Sequence, residues 1–219
     1  MIPVVIMAGG RGERLHPLTE KTPKPMLPVG GKPILETVID GYTSQGFRRF
    51  YLCVNYRKEC IEQHFGDGSD RGVEIHYTHE KYRMGTAGAL ALLPEFDEPA
   101  IVCNADVIAK VDYLDLVNHH KSSGADATAC ASLYQHQIPY GVIQSDEGGF
   151  LQGVREKPIE DFPVMSGIYV LEPHVMAGVT GRCDMPDLLA RYLVSVYAIQ
   201  GFWLDVGRFE DYSRANGAV

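Results

Sequence analysis

The sequence predicts an α/β fold in which helices flank a doubly wound, mostly parallel sheet. Apolar runs at 4–6, 50–54 and 73–77 have the length and composition of buried strands. Between them, residues 33–46 and 58–65 carry apolar side chains at helical spacing and end near a glycine. This βαβαβ order is typical of a Rossmann-like sheet.

The rest of the chain continues the alternation and changes character after residue 133. Further helices are expected at 85–93, 112–122, 186–192 and 209–215, and further strands at 100–103, 127–133, 140–145, 150–155, 167–171, 194–199 and 202–204. We therefore expect one domain, 1–219, made of two halves, 1–133 and 134–219.

One junction is unusual, because the helix at 186–192 meets the strand at 194 without a turn residue. Helix-to-strand connections normally need a few residues. The pattern suggests either that a loop is missing here or that this protein is shortened.

Composition and charge exclude several partners. A formal net charge of −8 argues against nucleic acid or an anionic membrane as the main partner. An odd number of cysteines, with no Cys-x-x-Cys pair and no secretory signal, favours the reducing cytoplasm. No apolar run approaches the length of a membrane span, and the histidines lack metal-ligand spacing.

A glycine-rich segment, Met-Ala-Gly-Gly-Arg-Gly-Glu-Arg-Leu at 7–15, follows the first apolar run. Three glycines in four positions let the backbone pass close to a ligand. Exposed backbone N–H groups in such a loop form a concavity that binds anions. Since Arg14 and Lys24 add positive charge, the segment suits a polyphosphate.

Two better-known phosphate loops do not fit this segment. The Walker pattern needs Gly-Lys-Ser/Thr four residues after a glycine, and none follows Gly9 or Gly10. The dinucleotide fingerprint needs Gly-x-Gly-x-x-Gly, and Leu15 stands where the third glycine belongs.

The segment, continued by Pro17-Leu18-Thr19 and Pro23-Lys24-Pro25, resembles the signature of the sugar-nucleotide pyrophosphorylases. These nucleotidyltransferases join a nucleoside triphosphate to a sugar 1-phosphate. The resemblance covers nearly the whole chain and implies a fold of the nucleotide-diphospho-sugar transferase type. Hexapeptide repeats are lacking, so no β-helix tail is expected.

The resemblance implies a catalytic set of Arg14, Lys24, Asp106 and Asp205. Arg14 and Lys24 would serve the triphosphate, and the two aspartates would hold Mg²⁺. Each aspartate ends an apolar strand, and parallel strand ends can converge at one edge of a sheet. Two carboxylates, phosphate oxygens and waters make an octahedral Mg²⁺ site. Relatives mostly have Gly where Ala105 stands.

The resemblance also divides the substrate contacts between the two halves, with nucleotide binding in 1–133 and sugar-phosphate binding in 134–219. Nucleotide binding is implied for Ala8, Gly9, Gly10, Gly12, Glu80, Gly85 and Thr86. Sugar-phosphate binding is implied for Tyr140, Gly141, Glu156, Lys157 and Ser166. In this assignment Lys157 pairs with the sugar phosphate and Glu156 accepts sugar hydroxyls. Many relatives have Asn where Met165 stands.

The implied reaction is attack of a sugar 1-phosphate oxygen on the α-phosphorus of a nucleoside triphosphate. Motif spacing is most similar to that of short bacterial hexose-1-phosphate guanylyltransferases, which make GDP-glucosamine, GDP-mannose or GDP-heptose, and this favours GTP. Two alternatives stay open: a uridylyl- or cytidylyltransferase, and a non-catalytic nucleotide-sugar sensor. Further expectations are a regulatory domain or a homo-oligomer, and an excised catalytic domain because the chain starts directly at a strand.

Overall fold

The structure, a computed structural model, describes residues 1–217. The strands are β1 (Val4–Met7), β2 (Pro28–Val29), β3 (Lys32–Pro33), β4 (Arg49–Val54), β5 (Glu74–His79), β6 (Ala100–Asn104), β7 (Val107–Ala109), β8 (Ala127–Gln137), β9 (Val142–Ser145), β10 (Leu151–Arg155), β11 (Ile159–Leu171), β12 (Val194–Ala198) and β13 (Trp203–Asp205). The helices are α1 (Ile34–Thr43), α2 (Lys58–Phe65), α3 (Tyr113–Ser123), α4 (Pro173–Ala177), α5 (Met185–Leu189) and α6 (Phe209–Gly217), with 3-10 turns at Glu13–Leu15, Lys24–Met26, Ser69–Arg71 and Gly88–Leu92.

Within these residues the central sheet has the strand order β12-β8-β11-β6-β1-β4-β5. Neighbours pair in parallel except on the two sides of β11, which runs antiparallel to β8 and β6. The chain leaves β1 for β4 and β5 and then returns to place β6 on the other side of β1. The predicted Rossmann-like, mostly parallel sheet is confirmed.

Alternate side chains of the sheet enter two separate cores because successive strand residues point to opposite faces. In β1, Val4 and Ile6 pack in the core on one face, whereas Val5 packs in the core on the other. In β6, Ile101 and Val102 divide in the same way. The sheet is therefore covered on both faces, which is the usual condition of a largely parallel sheet.

Two strands are much longer than their apolar patterns predict. The predicted strands at 127–133 and 167–171 are parts of β8 and β11, whose outer halves pair in an antiparallel ribbon. The ribbon residues are largely exposed, so no burial pattern marks them in the sequence. The proposed boundary at 133 falls inside β8, and the division into halves stays a prediction.

The junction before β12 is a normal connection. Helix α5 ends at Leu189, earlier than predicted, so residues 190–193 link it to β12. Asp126 fixes this link, because its Oδ2 accepts from Leu193 N at 3.0 Å and its own N–H donates to Leu193 O at 2.9 Å. The predicted direct junction of helix and strand is wrong, because four residues separate them. A missing loop or a shortened protein stays a prediction.

The predicted helix at 85–93 is replaced by the 3-10 turn Gly88–Leu92, because residues 84–87 are held by contacts with residues 183–185. Burial raises the pKa of Cys53, Cys103 and Cys130 to about 12, so these thiols stay protonated, as expected for inert core cysteines. Among residues 1–217, no helix is both long and apolar enough to cross a membrane.

Replacing Phe50 by Ala should lower the free energy of unfolding by about 3–5 kcal/mol, because the ring is fully buried and its loss leaves a cavity. Phe150→Ala is the matched control, since that ring is 74% exposed and the change should stay within about 0.5 kcal/mol. Urea unfolding of both variants measures the difference, and equal effects would contradict the assignment of the core.

Candidate active site

A cavity of about 630 Å³ opens at the carboxyl ends of β1, β4, β5 and β6. This is the edge at which open α/β sheets place their ligands. The cavity lies where β6 returns beside β1, so the glycine loop and the residues after β6 face each other. Its lining residues are Met7, Gly9, Gly10, Arg11, Gly12, Glu13, Arg14, Lys24, Asn55, Glu80, Lys81, Tyr82, Arg83, Met84, Gly85, Thr86, Asn104, Asp106 and Asp205.

The glycine loop has its shape because neighbouring segments leave no room for side chains. Gly12 lies at φ +65°, and a Cβ there would be 2.9 Å from Thr19 Cγ2 and 3.0 Å from Lys24 Cβ. Thr19 also fixes the loop, since its hydroxyl donates to Gly12 O at 2.8 Å. A Cβ on Gly9 would collide with the Glu80 carboxylate. The loop backbone is thereby exposed along the cavity wall.

Gly10 and Ala8 are both predicted to bind the nucleotide, but only Gly10 lines the cavity. Gly10 lines the cavity and has open space around its α-carbon. Ala8 is buried in the core and does not line the cavity, and its N–H donates to Cys53 O at 2.8 Å. That N–H group already has a partner within the fold.

Lys24, Asp106, Asp205 and Arg14 form a charge centre at one end of the cavity. The Lys24 side chain is 10% exposed and pairs closely with Asp106, while Asp205 Oδ1 lies 3.9 Å from its Nζ. Burial, and then the nearby Asp106 carboxylate, raise the pKa of Asp205 against the opposing effect of Lys24 and Arg14. The surroundings of Asp205 therefore disfavour its ionised form.

The two aspartates converge by a route that differs from the predicted one. Asp205 ends β13, which pairs with β7 and not with the central sheet. In that antiparallel pair Asp205 faces Val107, and Val206 N donates to Asp106 O at 3.0 Å. The expectation of converging parallel strand ends is wrong for Asp205, although the carboxylates do meet.

Residues 80–86, which include the predicted nucleotide-binding residues Glu80, Gly85 and Thr86, form another wall of the cavity. Burial raises the pKa of Glu80, against the opposing effect of the backbone N–H of Met84. Gly85 and Thr86 line the same wall, as predicted. At the rim, Arg83 forms an ion pair with Glu13 of the glycine loop.

Several polar residues that line the cavity are not among the predicted site residues, and Asn55, Asn104 and Arg83 are three of them. Asn55 directly follows β4, and Asn104 is the last residue of β6. A polar side chain at the carboxyl end of a buried strand is a signal that could have found both. No comparable local signal marks Arg83.

The predicted sugar-phosphate residues gather elsewhere, beside the β9–β10 hairpin, and do not line this cavity. Lys157 N donates to Tyr140 O at 3.3 Å, and a Cβ on Gly141 would lie 3.0 Å from Glu156 Oε2. Lys157 has φ +45°, which is uncommon for a residue with a side chain. These four residues form one cluster of their own.

Ser166 lies between that cluster and the cavity, at a break in the register of β11. Its hydroxyl is buried and has no hydrogen-bond partner in the described part of the chain, while its carbonyl accepts from Trp203 Nε1 at 2.9 Å. The following Gly167, at φ +77°, would place a Cβ 2.7 Å from the amide nitrogen of Asn104. Ser166 is thus adjacent to a residue of the cavity wall.

Residues 3–219 match the family described as nucleotidyl transferase, and the chain belongs to that family. The family predicted from the glycine-rich signature is confirmed. Among curated relatives, the chain is 33% identical over 221 residues to the mannose-1-phosphate guanylyltransferase catalytic subunit beta of Drosophila melanogaster, covering 95% of this chain and 60% of the relative. It is 30% identical over 230 residues to the mannose-1-phosphate guanylyltransferase of Mycobacterium tuberculosis, covering 98% and 64%.

The chain therefore spans about 60% of the length of the curated relatives it matches. Among solved structures, HddC from Yersinia pseudotuberculosis, complexed with GMP-PN, superposes with a TM-score of 0.78 at 23% identity, covering 100% of this chain and 99% of that one. At this identity the likeness shows the fold.

Gly12→Ala should destabilise the chain by about 1–3 kcal/mol, because φ +65° disfavours a side chain and the methyl group would press on Thr19. Gly10→Ala is the control within the same loop, since its position is open, and it should unfold like the wild type. Thermal and urea unfolding of the ligand-free protein give both values, and a Gly12→Ala variant as stable as Gly10→Ala would contradict the loop geometry.

Proposed function

We propose that the chain is the catalytic part of a sugar-1-phosphate nucleotidyltransferase that joins GTP to a hexose 1-phosphate. The observation that carries this proposal is that the glycine loop and the charge centre of Arg14, Lys24, Asp106 and Asp205 line one cavity. Family membership supports the transfer chemistry, and the printed names of the curated relatives support a guanylyl group.

The proposed reaction needs positioning more than proton transfer. A phosphate oxygen of the sugar 1-phosphate forms a bond to the α-phosphorus, and the bond from that phosphorus to the β-phosphate bridging oxygen breaks. Pyrophosphate leaves with the electron pair of that bond. Because the nucleophile is already an anion, no general base is required, and the task is to hold two repelling anions together.

The residues of the cavity divide this task. Backbone N–H groups of the glycine loop face the phosphates, as in other anion-binding nests. Arg14 donates a planar pair of N–H groups that suits phosphate oxygens. Lys24 is largely neutralised by Asp106, so its role is to orient the carboxylates as well as to contact phosphate.

Mg²⁺ fits the charge centre as a cofactor held by Asp106 and Asp205. Asp205 Oδ1 is buried and accepts no hydrogen bond from residues 1–217, and its pKa is raised partly by Asp106. Two adjacent carboxylates with an unused oxygen suit a hard cation. Among residues 1–217, no third Asp, Glu, His or Cys forms a cluster with Asp106 and Asp205. Phosphate oxygens and water would therefore complete the coordination shell of Mg²⁺. When bound, Mg²⁺ would offset phosphate charge.

Glu80 supports the choice of guanine. A carboxylate offers two acceptors, and guanine presents two adjacent donors, N1–H and the 2-amino group. Uracil offers a single N–H between carbonyl oxygens, which a carboxylate repels. Because Glu80 is partly buried, an unmatched base would leave it unpaired, and such mismatches discriminate strongly. The cluster of Tyr140, Gly141, Glu156 and Lys157 would then serve the sugar phosphate.

The nucleotide assignment predicts that a pyrophosphate-release assay across four nucleotides and a panel of sugar 1-phosphates is fastest with GTP. Glu80→Gln should lower kcat/KM for GTP by roughly ten- to hundredfold, because its amide group meets a guanine donor. The value for UTP should rise, because the neutral amide no longer repels the carbonyl oxygens of uracil, and the melting temperature controls for folding.

A higher kcat/KM for UTP or CTP than for GTP in the wild type would favour the uridylyl- or cytidylyltransferase alternative. Nucleotide-sugar binding without any turnover across the panel would favour the sensor.

The metal assignment predicts that Asp106→Asn and Asp205→Asn each remove most activity while the protein stays folded. The two losses should be far from additive, because both would remove one shared ion. Turnover across a Mg²⁺ titration, together with Mn²⁺ binding by calorimetry, measures this. Undiminished activity in excess chelator, or Mn²⁺ affinity unchanged in both variants, would exclude the shared site.

A further inference from the structure

The cavity wall that contains Gly85 and Thr86 packs against the residues that begin α5. Gly85 lies at φ +83°, and a Cβ there would be 2.7 Å from Asp184 Oδ1. Ala87 N donates to Cys183 O, and Cys183 N donates to Met84 O, each at 2.9 Å. Residues 84–87 thus lie flat against residues 183–184, which come from the other end of the sequence.

Asp184 and Thr86 exchange hydrogen bonds across this contact. Asp184 Oδ1 accepts from the backbone N–H of Thr86 at 3.0 Å and lies 3.4 Å from its hydroxyl. The Thr86 hydroxyl oxygen in turn accepts from the backbone N–H of Met185 at 2.7 Å, the first residue of α5. Two backbone N–H groups are therefore satisfied by side chains from opposite segments.

This exchange is unusual because Asp184 is the N-cap residue of α5. An N-cap aspartate normally accepts from N–H groups of its own helix. In the described residues its side chain caps no N–H group of α5, and Thr86 supplies a helix contact in its place. The Asp184 side chain thus binds the cavity wall at Thr86 N, and the Thr86 side chain binds the helix at Met185 N. The position of the wall therefore depends on both side chains.

We propose that Asp184 is a positioning residue for nucleotide recognition, holding Gly85 and Thr86 in the conformation that reads the base. Asp184 does not line the cavity, so it acts through Thr86. The proposal rests on the proposed function, in that a nucleoside triphosphate is the ligand of this wall. Because the charge centre lies at the other end of the cavity, loss of Asp184 should affect nucleotide affinity and selectivity more than turnover.

The test measures GTP binding by calorimetry together with kcat and KM for both substrates. Asp184→Ala should raise the Kd and KM for GTP by about ten- to hundredfold, through loss of charge-assisted hydrogen bonds. The preference for GTP over UTP should shrink, while kcat and the KM for sugar 1-phosphate stay within about twofold. Asp187→Ala is the matched control, an exposed aspartate in the same short helix.

Two conservative variants separate positioning from general stability. Asp184→Asn keeps a carbonyl oxygen for Thr86 N and should restore most of the affinity. Asp184→Glu keeps the charge but displaces the acceptor by one methylene, so it should resemble Asp184→Ala. If Asp184→Ala fails to fold, this pair decides the question by itself.

GTP binding by Asp184→Ala or Asp184→Glu at wild-type affinity would overturn the positioning role, as would a uniform loss of kcat with unchanged selectivity. Failure of the wild type to bind any nucleoside triphosphate would instead overturn the proposed function. The two failures are therefore distinguishable in one set of titrations.

Discussion

The arrangement of the cavity depends on the buried amino group of Lys24. Its side chain is 10% exposed, and an ammonium group at that depth requires carboxylates that offset its desolvation. Asp106, just after β6, is one of them, and Asp205, at the end of β13, is the other. Val206 N donates to Asp106 O at 3.0 Å and Trp203 Nε1 donates to Ser166 O at 2.9 Å, and these bonds hold the small β7–β13 pair beside the central sheet. The charge centre and the glycine loop consequently face the same space.

A second constraint is steric, and it acts at three glycines of the cavity. Gly12 is confined by Thr19, Gly9 by Glu80, and Gly85 by the Asp184 segment. In each case the neighbour comes from a different part of the chain. The backbone of the cavity walls is therefore confined at several points by neighbouring segments.

The two predicted halves of the chain do not separate cleanly at this cavity. Asp205 and Asp184 both come from the second half, yet Asp205 lines the cavity proposed to hold the nucleotide and Asp184 accepts a hydrogen bond from Thr86 in its wall. The hairpin cluster that includes Lys157 lies outside that cavity. Strand β8 runs through the predicted boundary at 133, and β11 lies in the middle of the sheet, so both predicted halves contribute strands to one sheet.

The sequence by itself determined the order of the central-sheet strands, most of the helices and the glycine loop, because burial periodicity and backbone freedom are local properties. It also placed Asp106 at the end of a strand. Tertiary structure alone decided that Asp205 reaches Asp106 through the antiparallel β7–β13 pair. It alone decided the lengths of β8 and β11 and the exchange of caps between Asp184 and Thr86. These features depend on pairing between distant segments, and the partner of a strand or a cap is not encoded in its own residues.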